Sequence, residues 1–280
     1  MIFSEYSPST WRLLKTPPER GAWNMAVDEA ILEAVSEGKS PPTLRLFAWD
    51  PPCLSIGYAQ PFSDIDTNRL FRNGWELVRR VTGGRAILHT DELTYSVIAP
   101  ENDPRVAGNV LESYKRLSQA LLAALVRLGL PAESLPYPPK NGESIQQQEP
   151  VCFEIPSNYE ITVGGKKLIG SAQARKKKVV LQHGTLPLYG DLTRITHVLY
   201  YPDETSRLKA AARLLNRATT LETVSEHPIP WETAASAFIE SFSQALNLTL
   251  SEGTLSPEEV ARAKVLVKEK YAHPDWNERI

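Results

Sequence analysis

A chain of 280 residues with 42% hydrophobic and 23% charged side chains has the composition of a globular protein and can bury a sizeable core as one large domain or two small ones. Its net charge of −2 gives no reason to expect nucleic acid as a partner, although Arg79-Arg80 and Lys176 to Lys178 are local basic patches. Two cysteines, Cys53 and Cys152, are too few for a disulfide framework, and no apolar run nears the roughly 18 residues of a membrane span.

The first residues, MIFSEYSPSTWRLLK, lack the charged-then-apolar layout of a signal peptide, so the cytoplasm is the expected location. Residues 22–37 predict an amphipathic helix, because Met25, Ala30, Ile31, Ala34 and Val35 recur at helical spacing and Gly38 ends the run. TLRLFA and CLSIGY read as short strands on either side of the turn Trp49-Asp50-Pro51-Pro52. Residues 75–81 and 85–89 read as strands around Gly83-Gly84, followed by LTYSVIA as a third. The glycine pair fits two readings equally: a hairpin turn, or a place where a ligand approaches the backbone.

Residues 109–129 carry the firmest helical signature, with Asn109 and Glu112 spaced as a capping box and Gly129 as the stop. The stretch from 131 to 150 is rich in proline and polar residues and reads as a mobile surface loop. NYEITV and KKLIGSA alternate around Gly164-Gly165, a hairpin signal, and the basic tip ARKKK leads into a strand ending Gln182-His183-Gly184. Helices are predicted over 204–216 and 231–247. A third spans 257–271, where Ser256-Pro257-Glu258-Glu259 is a capping box with proline at the first helical position. Strands joined mainly by short turns favour an α+β domain with a mixed, largely antiparallel sheet flanked by helices.

Within this pattern Cys152 and Lys167 stand out. A lone cysteine is most often a small buried hydrophobe, and Cys53 in its apolar strand is read that way. Cys152 instead sits between Pro150 and Pro156 at the exit of the polar stretch, where nucleophiles are often placed. Lys166 and Lys167 are adjacent in a strand, so alternation sends one to water and the other inward. An inward ammonium requires a partner, and a thiolate would serve while having its own pKa lowered. His89 and His183 each end a strand and fit a structural role as readily as a catalytic one. No HExxH, CxxC or paired Cys/His spacing supports a metal, and neither GxxxxGK[ST] nor GxGxxG supports a conventional nucleotide loop.

The run Arg79-Arg80-Val81-Thr82-Gly83-Gly84-Arg85-Ala86, then His89 and Glu92 to Val97, resembles the signature of the biotin/lipoate protein ligase and lipoyl transferase superfamily. So do Gly165 to Ala172, His183-Gly184-Thr185, the helix start Asn24 to Glu29, and Trp276 to Arg279. Cys152-Phe153-Glu154-Ile155-Pro156-Ser157-Asn158-Tyr159-Glu160 is similar to the motif of its octanoyltransferase branch. ATP-dependent lipoate ligases differ, typically reading Gly-Gly-Gly-Ala and Asp-Leu-Gly-Asn where this chain has Gly-Gly-Arg-Ala and Glu-Leu-Thr-Tyr.

The resemblance implies a catalytic domain of that superfamily over residues 1–250, with a helical extension, 251–280, packed on it. It implies transfer of an octanoyl group from octanoyl-acyl carrier protein to a lysine of a lipoyl domain, with no cofactor and no metal. Cys152 would be the nucleophile and Lys167 its activator. Gly83, Gly84, Gly170, Ser171 and Ala172 would line the acyl tunnel, with Arg79, Arg85, His89 and His183 completing the substrate site. An ATP-dependent lipoate ligase, a lipoyl-domain amidotransferase and a non-catalytic acyl-binding protein are the alternatives.

Overall fold

The computed structural model describes residues 6–135 and 160–280. The chain begins with β1 (Ser9–Lys15), α1 (Gly21–Ser36), β2 (Thr43–Phe47), β3 (Cys53–Ile56), α2 (Thr67–Arg72), β4 (Glu76–Arg79), β5 (Ile87–His89) and β6 (Glu92–Pro100). It continues through α3 (Val110–Arg127), β7 (Ala132–Leu135), β8 (Glu160–Val163), β9 (Lys166–Lys176) and β10 (Val179–Pro187). The last third holds α4 (Glu204–Arg217), α5 (Leu221–Ser225), α6 (Trp231–Leu246), β11 (Leu248–Glu252), α7 (Pro257–Leu266) and α8 (Pro274–Asn277).

Eight strands form one mixed sheet in the order β11-β1-β2-β6-β10-β9-β8-β7, and a smaller sheet has the order β4-β3-β5. β11, β1 and β2 run parallel; from β2 outward the pairs are antiparallel. The large sheet is covered on both faces. Leu93, Tyr95, Val97 and Ala99 of β6 point into a core with α3 and α6, while Ile98 points into a second core built around α1 and α7. Burial on both sides explains why β6 reads as a nearly continuous apolar run.

The hairpin β8–β9 forms as its sequence predicts, because Gly164 and Gly165 take φ of 57° and 75°, the left-handed pair that a primed turn requires. The Asn109–Glu112 and Ser256–Glu259 capping boxes are both closed by reciprocal hydrogen bonds.

Other expectations need correction. The strands flanking Gly83-Gly84 do not make a hairpin: β3 inserts between β4 and β5, pairing parallel with one and antiparallel with the other. The strands around the Trp49–Pro52 turn belong to different sheets. Residues 132–135 of the expected loop are strand β7, paired with β8, and 136–150 lie outside the described residues.

α1 is not a half-exposed amphipathic helix. Most of its circumference is buried, including Asn24, Asp28 and Glu29. The reason lies at the chain's end: Lys270 and the Tyr271 hydroxyl donate to Glu29 Oε2 at 2.6 and 2.5 Å, and Arg262 caps Glu33. Burial pushes the Glu29 carboxyl up, but the Lys270 and Tyr271 hydrogen bonds outweigh it and hold its pKa below the ordinary value. Among the described residues no helix is long and apolar enough to cross a membrane, and no cluster of three or more His, Cys, Asp or Glu is placed to hold a metal.

Candidate active site

Between the α1 face of the large sheet and the small sheet lies a cavity with about 360 Å³ of empty space, part of it open to solvent. β9 contributes Gly170, Ser171 and Ala172, β10 contributes His183, Gly184 and Thr185, and β3 and β5 contribute Ser55, Ile87 and His89. Met25, Trp49, Arg80 and Thr94 complete the wall. Small residues on β9 and β10 line this space, and their far face packs tightly under it. At Gly184 an added Cβ would lie 2.4 Å from Ser171 Oγ, 2.6 Å from the Gly170 carbonyl oxygen and 2.7 Å from Tyr95 Cε1. Only glycine fits there.

His89 is held by a chain of hydrogen bonds whose directions fix one another. Arg80 Nη1 donates to Ser55 Oγ at 3.0 Å, which leaves the Ser55 hydroxyl proton for His89 Nε2 at 2.7 Å. His89 Nδ1 therefore carries a proton toward Glu92 Oε1 at 2.6 Å. Thr94 Oγ1 donates to the same oxygen and accepts from Trp49 Nε1 at 2.8 Å. The Trp49 indole also stacks on the imidazole, with centroids 3.9 Å apart and planes 11° from parallel.

His183 has a matching arrangement on the large sheet. Its Nε2 lies 2.6 Å from Thr82 Oγ1 and its Nδ1 3.4 Å from Asp28 Oδ2. Asp28 also accepts from Arg45 Nη1 at 2.8 Å and from Ser96 Oγ at 2.6 Å. Burial pushes the imidazole pKa down more strongly than Asp28 raises it, so His183 is neutral near pH 7. Burial alone would raise the Asp28 carboxyl, but the Arg45 charge, the His183 contact and the Ser96 hydroxyl together bring it below its usual range. Asp28 and Arg45 form a fully buried pair, and Asn24 supplies two further acceptors to the guanidinium.

A cavity of this shape, apolar along one side and bordered by carboxylate-anchored histidines, can be compared with known proteins. Residues 20–243 match the lipoyl protein ligase A/B catalytic domain. The chain belongs to the lipoyl protein ligase A/B family. Curated relatives of nearly full length bear the name octanoyltransferase LipM. One from Brevibacillus brevis is 42% identical, covering 96% of this chain and 99% of the relative, and one from Moorella thermoacetica is 42% identical over 96% and 98%. Through these relatives the chain is an acyltransferase of octanoyl transfer within the lipoyl protein ligase family.

Solved structures agree on the fold. A bipartite lipoate protein ligase from an archaeal lipoylation system, Thermoplasma acidophilum, superposes with a TM-score of 0.79 at 26% identity, covering 98% of this chain and 97% of that one. A lipoate-protein ligase A bound with ATP gives 0.76 at 27% identity, covering 97% and 99%.

Within this lipoyl protein ligase fold the expected site residues separate. Gly170, Ser171, Ala172, His89 and His183 meet at the cavity. Arg79 does not: it is fully buried, its terminal nitrogens donate to the carbonyls of Gly57, Tyr58, Gln60 and Asn277, and its Nε to those of Trp276 and Asn277. The neighbouring Arg80 lines the cavity instead, bridging Ser55 to the Gly83 and Arg85 carbonyls at 2.9 and 2.7 Å. Gly83 and Gly84 are exposed, and half-buried Arg85 lies 4.0 Å from Asp64.

Lys167 is 3% exposed, as the alternation argument requires, while Lys166 is half-buried and donates to the Leu215 carbonyl. A register shift between Ile161 and Thr162 sets Lys167 opposite Thr162, and the Thr219 amide bonds its carbonyl at 3.1 Å. Cys152 lies outside the described residues. Two of the basic tip's lysines turn back on α1, Lys176 to Glu29 and Lys177 to Glu33.

Sequence reasoning passed over Asp28, Arg45, Ser55 and Glu92 as functional supports. Asn24 and Asp28, four apart on one helix face, were the available sign that α1 presents polar groups inward. Ser55 and Arg45 carried no such sign, since both lie in strands of apolar character.

Proposed function

We propose that this chain transfers an octanoyl group from octanoyl-acyl carrier protein to the target lysine of a lipoyl-domain protein, such as the glycine cleavage H protein, through a thioester on Cys152. The observation that carries this reading is the character of the cavity. Its histidines are tied to carboxylates and the terminal nitrogens of its arginine to Ser55, Gly83 and Arg85, which suits an uncharged acyl thioester. Burying an eight-carbon chain at about 0.8 kcal/mol per methylene contributes roughly 5 kcal/mol, enough to favour medium over short chains.

In this reading the Lys167 ammonium stabilises the Cys152 thiolate. The thiolate attacks the octanoyl carbonyl carbon, the bond from that carbon to the carrier's pantetheine sulfur breaks, and the departing sulfur takes a proton from Lys167. The neutral amine of the acceptor lysine then attacks the acyl-enzyme. An amide forms, Cys152 leaves as thiolate, and Lys167 recovers a proton from the nitrogen, restoring the starting pair. One thioester is exchanged for another before the downhill amide step, so the transfer needs no ATP. Gly170, Ser171 and Ala172 are assigned to the acyl tunnel, His89 and His183 to its support, the Gly83 and Arg85 carbonyls to holding Arg80 at its wall, and Arg79 to the frame behind it.

Intact-mass spectrometry tests this directly. The protein mixed with octanoyl-acyl carrier protein and no ATP should gain one octanoyl group that hydroxylamine removes and a lipoyl domain accepts, while Cys152→Ala should gain none. The structural likeness to a ligase bound with ATP supports a second reading. Under it no adduct forms, and Cys152→Ala still modifies the lipoyl domain when supplied with octanoate and ATP.

A further inference from the structure

One polar side chain in the cavity wall is left over. Thr185 is 1% exposed, lines the cavity, and among the described residues has no hydrogen-bond partner for its Oγ1. Every other hydroxyl in that wall is engaged: Ser55 with His89 and Arg80, Thr94 with Glu92 and Trp49, and Ser171 with the Tyr95 hydroxyl at 2.7 Å. A buried hydroxyl without a partner is destabilising, and such exceptions in a folded protein call for an explanation.

The strand context shows why Thr185 is unpartnered. Its backbone is paired on both sides, with Thr94 of β6 and Gly170 of β9. Thr94 directs its hydroxyl to Glu92, and Gly170 has no side chain to offer. At position 184, between the two cavity-lining residues His183 and Thr185, only glycine fits. The hydroxyl therefore sits beside the opening at Gly170 with no hydrogen-bond partner among the described residues. Threonine carries a methyl and a hydroxyl of similar size on Cβ, so a change of χ1 presents the hydroxyl to the cavity without altering the volume of the wall.

We propose that Thr185 is a substrate-contact residue whose hydroxyl donates to the carbonyl oxygen of the bound acyl thioester. This inference rests on the acyl-transfer reading above and names the group that recognises the one polar atom of the acyl group, its carbonyl oxygen. The hydroxyl fixes how deep the chain enters, because the carbonyl must stop level with β9 at Gly170. A carbonyl acceptor completes the hydroxyl's hydrogen bond, which favours acyl chains ending in a carbonyl over plain alkyl chains.

The test compares two ligands by calorimetry on a Cys152→Ala background, where the thioester stays intact: S-octanoyl-pantetheine, and S-octyl-pantetheine, which lacks the carbonyl. The thioester should bind about tenfold tighter than the thioether, the value of one well-placed hydrogen bond. Thr185→Val should abolish that preference and leave thioether affinity unchanged, and Thr185→Ser should restore it. Thr185→Val should also raise the melting temperature of the unliganded protein by about 2 °C, because a methyl replaces an unpartnered hydroxyl. A structural threonine would lower it. If Thr185→Val keeps the preference, or weakens both ligands equally, the inference is overturned while acyl binding stands. If neither ligand binds the Thr185 parent, the acyl-transfer reading falls with it.

Discussion

Gly184 illustrates how tightly a single position of the cavity wall is set. Alanine there must push back Ser171, Tyr95 and the Gly170 carbonyl, and the last belongs to a paired strand that cannot yield cheaply. Gly184→Ala is expected to lose about 1–3 kcal/mol of stability, in the range of overpacked cores, together with most acyl-enzyme formation. Urea denaturation beside the mass assay measures both. His183 makes a second prediction, on pH. Its pKa in the folded chain lies below the 6.5 of the free side chain, so under pH 6.5 the unfolded chain takes up a proton that the folded one refuses. Stability should therefore fall as pH drops below about 6.5, and His183→Asn should flatten that slope. Asp28, whose pKa is lowered from 3.8, adds its own loss only in stronger acid. A slope unchanged by His183→Asn would show that the proton goes elsewhere.

Elements with local signals were readable before the structure, and those held by distant partners were not. The capping boxes of α3 and α7 and the Gly164-Gly165 turn are short-range devices, each contained within a few residues, and each formed as expected. β1 and β11 escaped notice because among the described residues they pair only in parallel, and with each other across most of the chain. The same limit governs the site. His89 and His183 stood out as strand ends, but Ser55 and Asp28, which orient them, lie 34 and 155 residues away in sequence. The turn between β9 and β10 was read as a basic tip, yet it places two lysines, Lys177 and Lys178, at φ of 50° and 60°. Left-handed backbone costs such residues, and asparagine or glycine removes most of that cost. Replacing Lys177-Lys178 by Asn-Gly should therefore stabilise the protein by about 0.5–1 kcal/mol despite losing the Lys177–Glu33 contact. A lower denaturation midpoint in the variant would mean that the lysine contacts outweigh backbone strain.

At the scale of the whole molecule, residues 276–280 close on the first third of the chain. Arg79, at the last position of β4, gathers the carbonyls of the 57–60 segment and those of Trp276 and Asn277, while Trp276 Nε1 returns a bond to the Arg79 carbonyl and Asn277 Oδ1 accepts from its amide. Arg279 adds a bond to the Tyr58 carbonyl, and the Phe62 amide reaches the carbonyl of Ile280. The small sheet, which supplies one wall of the cavity, is thus fastened by residues nearly 200 positions away. A lysine at position 79 has too few donors, in the wrong geometry, to serve so many acceptors at once. Arg79→Lys should cost about 3 kcal/mol or more, the range for disrupting a buried charge and its partners. Deleting residues 274–280 should cost a similar amount by removing the acceptors instead. If the two halves act as one clamp, the double variant will lose clearly less than the sum of the two, a coupling of about 1 kcal/mol or more in a double-mutant cycle. Additive losses would mean that Arg79 and the C-terminal segment stabilise the fold independently, and that the cavity wall owes its position to the small sheet alone.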